Sequence, residues 1–359
     1  MPAAPYRSDH LRYNHPQARL RPAQGRVSKI LQGGIPMSII LNRRSALLAG
    51  AGSALVLGAP ALAQSRRRLT VATGGTGGVY FVYGGGLARV LSEKVPNTQV
   101  TAQVTGGSVD NINLVSAGDA DVGFSTLDSV VDALAGTAAY AQGGKREVSV
   151  LAVLYDNVLH VVANPSLNSI ADMKGKRIGV GSAGSSTEGW ADRTLEAAGL
   201  NPRTDITRDN LGVAESANAL SDGKIAGFFW GGGVPTAAVR DLAQGGRTPM
   251  KLLDSSKELV AIDKKYPGLY RLYTMQPNSY AGQTAAVPCI GVANVMVVNS
   301  KAPNALVTTI LEGIFNNLTD VAGIHPEARR LTLQSAATKT AVAFHPAAEA
   351  FYKAKGVAM

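Results

Sequence analysis

Two apolar stretches, far apart in the chain and alike in pattern, constrain the fold most. Val148–Ala163 is almost wholly apolar, carries Asp156-Asn157 at its middle and ends at Asn164-Pro165. Ile290–Asn299 resembles it, with "HVVANPS" at 160–166 set against "MVVNSKAP" at 296–303. Between them lies a self-contained α/β segment: a strand at Arg177–Gly181, a helix at Thr187–Ala198 stopped by Gly199, and a strand at Ile225–Trp230. Before them the pattern alternates again. Strands are expected at Leu69–Thr73, Gln99–Thr105 and Asp121–Ser125, with helices at Tyr80–Lys94 and Val109–Ala117. Such alternation implies a mixed, mostly parallel sheet flanked by helices, joined by right-handed crossovers. A helix at Ala305–Leu318 and further C-terminal helices complete the pattern. A segment inserted between two crossing strands predicts two lobes, 68–160 with 296–359 and 165–288, hinged at those strands. The alternative is one continuous open sheet.

The formal charge of +10 is unevenly placed. Residues 1–63 carry eight basic residues and one acidic, and most of the excess lies there. Asn42-Arg43-Arg44-Ser45 precedes the weakly apolar run Ala46–Leu57, and Ala61-Leu62-Ala63 supplies a small-x-small cleavage pattern. That order predicts a twin-arginine-like export signal over 37–63, cleaved after Ala63, and a periplasmic mature chain. Residues 1–36 show no apolar periodicity and read as a disordered extension or an upstream start, with Met37 the initiator. Beyond Ala63 the charges are mixed, with no basic stripe interleaved with aromatics, which argues against nucleic acid. The single cysteine, Cys289, rules out an internal disulfide and reads as a small core residue.

Four turns rich in Gly, Ser and Thr fall between a strand and the next helix. They are Gly74–Gly78, Gly106–Ser108, Ser182–Thr187 and Gly231–Gly233. In an open α/β sheet such turns lie at the carboxyl ends of the strands, where ligands bind. Each is expected to expose unpaired N–H groups of a helix's first turn, which suit carboxylate or phosphate oxygens. A dinucleotide loop is excluded, because Gly75-Thr76-Gly77-Gly78-Val79 runs into Tyr80 where G-x-G-x-x-G needs glycine. No phosphate-loop Gly-Lys-Ser/Thr triplet occurs either, so no cofactor is expected. Tyr80 and Trp230 flank two of the turns and either pack a ligand's carbon skeleton or fill the core. Gly84-Gly85-Gly86 falls inside a helix, where close packing on the sheet would account for it.

Catalytic constellations are sparse. His160 sits in an apolar strand and reads as a core histidine, while His325 and His345 each precede proline and read as helix-start residues. No His/Cys cluster has metal-ligand spacing. Glu188 and Asp192 share a helix face and are expected to meet solvent or a neighbouring arginine. Asp128 reads as a ligand for an amino group or as a cap. Few reactive groups beside many hydrogen-bond donors favour a binder over an enzyme.

At these residues the chain resembles the TAXI family, the solute receptors of TRAP-type secondary transporters. The likeness covers about residues 68–357 and rests on "GTGGVY", "TGGSVDNI" and "DADVGFS" in the first part of the chain. It continues through "SIADMKGKRIGVGSAGSSTE", "GKIAGFFWGGGVP", "YAGQTAAVP" and "FHPAAEAFYKAKG", with Ala347 where the family commonly has glycine. The resemblance implies a two-lobed type II periplasmic-binding-protein fold that closes on a small organic anion such as glutamate or 2-oxoglutarate. It implies TRAP transporter membrane subunits as partner. The ligand-binding positions it implies are Thr76, Gly77, Gly78, Tyr80, Ser108, Thr126 and Asp128 from one lobe. Ser185, Ser186, Thr187, Trp230 and Gly232 are those from the other. The family's Gln-Ser-Asp reads Thr126-Leu127-Asp128 here, and Arg193 is the nearest candidate for a carboxylate clamp. The alternatives are a binding protein of an ATP-driven importer, a sensor-feeding receptor and an exported enzyme.

Overall fold

The computed structural model of the protein describes residues 66–245, 247 and 249–359. The expected export signal at 37–63 and the extension at 1–36 lie outside the described residues. The first third of the described chain is strand β1 (Arg67–Ala72), helix α1 (Val79–Lys94), β2 (Thr98–Gln103), α2 (Ser108–Ala117), β3 (Val122–Thr126) and α3 (Leu127–Ala135). The long strand β4 (Val148–Ala163) leads into β5 (Arg177–Gly179), α4 (Ser186–Ala197), β6 (Thr207–Asp209), α5 (Val213–Ser221) and β7 (Gly227–Gly232). Then come α6 (Ala237–Gly245), β8 (Lys251–Leu252), α7 (Ser256–Lys265), β9 (Arg271–Met275) and the second long strand, β10 (Val287–Asn299). Helices α8 (Asn304–Phe315), α9 (Leu318–Ala322), α10 (Leu333–Ala336) and α11 (Pro346–Ala354) follow. The single helix expected at Ala305–Leu318 is thus two, because Asn316-Asn317 ends α8 before α9 begins.

The strands form one hydrogen-bonded sheet in the order β2-β1-β3-β10-β4-β7-β5-β6, with β8 on β4 and β9 on β10. Pairing is parallel within β2-β1-β3 and within β7-β5-β6, and antiparallel wherever β4 or β10 takes part. The two similar apolar stretches therefore lie side by side, from Val148 opposite Asn299 to Val158 opposite Gly291, with register irregularities at Asn294/Val295 and Met296/Val297. Each serves both halves of the sheet. β10 pairs with β9 over Val287–Gly291 and with β3 over Asn294–Val298. β4 passes from β10 to β7 at Val158.

Burial on both faces explains why these strands read as apolar runs without alternation. On β7, Phe228 packs beneath α5 and α6 with Val213, Leu220 and Val239, while Phe229 packs on the other face with Trp190 and Leu195 of α4. Adjacent residues of a strand point to opposite faces, so helices cover both. This is the mixed α/β architecture expected from the sequence. Cys289 is buried against the first of these clusters, and burial pushes its thiol up to about 12, as a core residue requires.

Histidine at a helix start also finds its expected place. His325 and His345 each accept a backbone N–H on Nδ1, from Glu327 (3.1 Å) and Ala347 (3.2 Å), with proline at the first helical position. The glycine triplet in α1 divides. A Cβ at Gly84 would lie 2.3 Å from Thr73 Cγ2, and one at Gly86 would lie 2.3 Å from Ile324 Cγ2. A Cβ at Gly85 meets nothing within 4 Å. Close packing therefore accounts for Gly84 against the first strand's end and for Gly86 against Ile324, two residues past α9, but not for Gly85.

Candidate functional site

The carboxyl ends of β1, β2, β5 and β7 bring four of the glycine-rich segments to one place between the halves of the sheet. The turn at Gly106–Ser108 meets the turn at Ser182–Ser185 directly. Ser182 Oγ donates to the Gly106 carbonyl (2.8 Å), and the amides of Val109 and Asp110 both donate to the Gly184 carbonyl (3.0 Å each). The first turn of α2 was expected to offer its N–H groups to a ligand anion. Two of them are instead taken by a protein carbonyl, because the halves touch at this point.

Behind that contact lies a small cavity of about 30 Å³. That is close to the share of liquid volume that one water occupies. Eight of the twelve residues singled out in the sequence line it: Gly78, Tyr80, Ser108, Ser185, Ser186, Thr187, Trp230 and Gly232. They come from both halves and from the first turns of α1, α2 and α4. Ser108 and Ser186 hydroxyls join across the gap at 3.2 Å, and Thr187 Oγ1 accepts the Gly231 amide (3.2 Å). Trp230 lies over Gly78, where a Cβ would come within 3.0 Å of the indole, and its Nε1 donates to Thr236 Oγ1 (2.9 Å).

Four residues are placed elsewhere. Thr76 is exposed at the tip of the first turn. Gly77 sits against Ala214 and Ala238 of the opposite half, and its carbonyl accepts the Ala238 amide (3.4 Å). Thr126 is fully buried; its amide donates to Ser108 Oγ (3.2 Å) and its own hydroxyl is unpartnered. Asp128 neither caps α3 nor faces the cavity. Its Oδ2 accepts Trp190 Nε1 (2.5 Å), Tyr270 Oη (2.7 Å) and Arg193 Nη1 (3.2 Å). Arg193, the candidate clamp, is spent in the same place. It bonds Asp132 Oδ2 through Nη2 and Tyr270 Oη through Nη1, and its guanidinium lies 4.1 Å over the Tyr266 ring.

Gly231–Gly233 does not form the strand-to-helix turn expected of it. Gly231 and Gly232 are the last residues of β7, and α6 begins only at Ala237, after Thr236. These glycines do not open a helix. Gly232 is required because a Cβ there would fall 2.3 Å from Trp230 Nε1, which folds back along its own strand.

The cavity is also lined from a strand, outside the glycine-rich turns. Tyr155, on β4, lines it with its side chain 4 % exposed residue-wide and its hydroxyl buried without a hydrogen-bond partner. Burial drives that hydroxyl's pKa well above the usual tyrosine value, so it is a donor. Nearby, Asn294 of β10 accepts Tyr80 Oη on Oδ1 while its Nδ2 is buried and unpartnered. Asn157 Oδ1 is likewise unpartnered, and Asn157 Nδ2 lies 3.1 Å from where a Gly231 Cβ would stand. A signal for all three was present: polar residues interrupting the middle of an apolar strand, where each needs a partner that the strand does not provide.

The remaining histidine is structural. His160 is fully buried, with Nδ1 3.0 Å from the Val158 carbonyl and Nε2 2.8 Å from Tyr280 Oη. Donation from Nδ1 and acceptance at Nε2 fit a neutral ring, and burial lowers its pKa to about 4. Glu188 and Asp192 meet a neighbouring arginine, Arg208, with Arg203 on the outer oxygen of Asp192.

The fold and site define an α/β protein whose sheet is divided by two shared strands, with a small cavity between its halves whose lining includes no charged side chain. A family model described as the NMT1-like family matches residues 71–356, and the chain belongs to that family. Among solved structures it is similar to the alkanesulfonate-binding protein SsuA from Xanthomonas axonopodis pv. citri bound to MOPS. There identity is 17%, coverage 73% of this chain and 82% of that one, and the TM-score 0.44. The periplasmic aliphatic sulphonate binding protein SsuA from Escherichia coli is 17% identical, with 82% and 94% covered and a TM-score of 0.41. The GluR0 ligand-binding core in complex with L-glutamate is 12% identical, with 74% and 98% covered and a TM-score of 0.45.

Proposed function

We propose that the chain is an exported solute receptor. It captures a small organic anion between two lobes, 68–160 with 296–359 and 165–288, and delivers it to the membrane subunits of a TRAP transporter. The observation that carries the reading is the cavity itself. Both halves line it, the first turns of α1 and α4 open onto it, and the buried Tyr155 hydroxyl beside it has no protein partner. Helix first turns present unpaired amides with partial positive charge, which suits an anion. A space of about 30 Å³ is too small for a multi-carbon acid, so entry requires the halves to part. The two shared strands, β4 and β10, are where that rotation would be absorbed.

Calorimetry with organic acids, chosen by a thermal-shift screen, tests the site. Ser186→Ala removes a half-buried hydroxyl and Thr187→Val a buried one, and each is expected to weaken a confirmed ligand by about 1–3 kcal/mol. Unchanged affinity in both would move the binding site elsewhere. Ligand is expected to change the small-angle scattering profile; identical profiles would count against lobes that open and close. Uptake that is lost with a neighbouring TRAP permease gene fits the proposed acceptor. Dependence on an ATPase would reassign the protein to an ATP-driven importer, and loss of signalling alone would make it a sensor-feeding receptor. Among the described residues no helix is long and apolar enough to cross a membrane. Export rests on residues 37–63, and N-terminal sequencing of the mature protein is expected to begin at Gln64.

A further inference from the structure

Where the turn at Gly106–Ser108 meets the turn at Ser182–Ser185, the two halves are joined through their backbones. The Gly184 carbonyl accepts the amides of Val109 and Asp110, both in the first turn of α2. It therefore caps, from the opposite half, a helix whose own N-cap residue, Gly107, has no side-chain oxygen to offer. Ser182 Oγ donates in the other direction, to the Gly106 carbonyl. The approach leaves no room for side chains. A Cβ on Gly106 would stand 2.1 Å from the Ala183 carbonyl oxygen, and one on Gly107 3.3 Å from Ser185 Cα. A Cβ on Gly184 would fall 2.2 Å from Asp110 Oδ1. In each case the obstructing atom belongs to the other half, and a backbone atom cannot swing aside.

Resting on the two-lobe reading above, we propose that this contact is a rim latch, in which bonds between the protein's own turns hold the halves closed and opening breaks them. Glycine stands at 106, 107 and 184 because the latch sets backbone against backbone. Parting the halves returns two α2 amides and the Ser182 hydroxyl to water. That exchanges protein bonds for water bonds of similar strength, so the latch is reversible. Gly107 and Gly184 also hold φ values of 134° and 76°, which a side chain would strain in any state. Gly106 does not, so alanine there suits its own backbone and obstructs the closed arrangement. Its other near neighbour, Asp110 Oδ2 at 2.7 Å, is the end of a side chain in the same turn.

The test is pulsed electron paramagnetic resonance on the mature protein, spin-labelled through Arg89→Cys and Lys224→Cys. These positions are exposed, one on each lobe, and the native Cys289 is buried. Gly106→Ala is expected to shift the label–label distribution to longer and broader distances, with the circular-dichroism spectrum unchanged. Ser182→Ala removes one bond and adds no bulk, and is expected to shift it the same way by less. A distribution that is already broad without these substitutions, and is moved by neither, would overturn the latch and leave two mobile lobes standing. One that stays narrow and unmoved in both variants would also overturn the latch. If it stays so when Arg193→Ala is added, the two-lobe reading falls with it. Should Gly106→Ala fail to fold, Ser182→Ala decides alone, and no shift there counts against the latch.

Discussion

Along the outer seam between the halves, Arg193 of α4 reaches across to Asp128 and Asp132 of α3, one turn apart on the same helix. Trp190 and Tyr270 close the group, and it is almost wholly out of solvent. The cavity, lined from α4 only a turn or two earlier, has no charged side chain at all. The same helix thus presents ions to the opposite half at Arg193 and only hydroxyls and amides at Ser185–Thr187. The seam's charges are paired with one another, although Asp128 Oδ1 is itself buried without a hydrogen-bond partner. The cavity leaves Tyr155 Oη, Asn157 Oδ1 and Asn294 Nδ2 unpartnered near its floor, so its balance depends on what enters. On the proposed reading, the seam would hold the halves together and the cavity would take the ligand, through different chemistry on the same helix.

The contrast is broken most directly at Arg193. Arg193→Ala leaves Asp128 buried without its cation and is expected to cost about 3–5 kcal/mol in urea unfolding, with a more open scattering profile. A loss below about 1 kcal/mol would show that the seam is not holding the halves together. Arg193→Lys, which cannot reach both carboxylates with one planar fork, should fall between.

The next effect concerns pH and lies behind the cavity, at the strand position opposite Trp230. His160 has a folded pKa of about 4, below its ordinary 6.5, because burial disfavours the charged ring. As pH falls through 6.5 the unfolded chain takes up this proton first, so stability is full above that value. It is lost progressively down to about pH 4, by roughly 3 kcal/mol. Denaturation of wild type and His160→Gln at pH 7 and 4.5 should show that part of the pH dependence missing in the variant. Equal dependence in both would mean that other groups, not this ring, govern acid sensitivity.

The smallest effect sharpens the account of α1. Gly85→Ala has open space around it and is expected to stabilise the protein by about 1 kcal/mol through helix propensity. Gly86→Ala meets Ile324 and is expected to destabilise it, with thermal unfolding reading the sign of each. If the two variants shift in the same direction, packing against Ile324 does not explain the glycine.

Much of this was legible because its physics is local. Strand and helix periods, the turn at Gly74–Gly78 and the helix starts at His325 and His345 depend on neighbours a few residues away. Ser186 and Trp230, which line the cavity, were legible as turn-flanking residues for the same reason: the adjacent glycines and hydroxyls mark the turns. Tyr155 and Asn294 were overlooked because each belongs to a strand whose apolar run reads as core. Gly232 was assigned to a helix-opening turn when its need arises from Trp230 folding back on it.

By itself the sequence determined the α/β alternation, the two long strands that bracket an inserted segment, and the family resemblance that most of the cavity residues carry. Hydrophobic period and turn chemistry are short-range, and a chain cannot hide them. Only the tertiary structure decided which groups remain available to a ligand. Asp128 and Arg193 are 65 residues apart, and their pairing exists only where α3 meets α4. That contact removes both charges from the cleft. The tertiary contact at Gly184 also withdraws two amides of α2, because the halves of the sheet meet there.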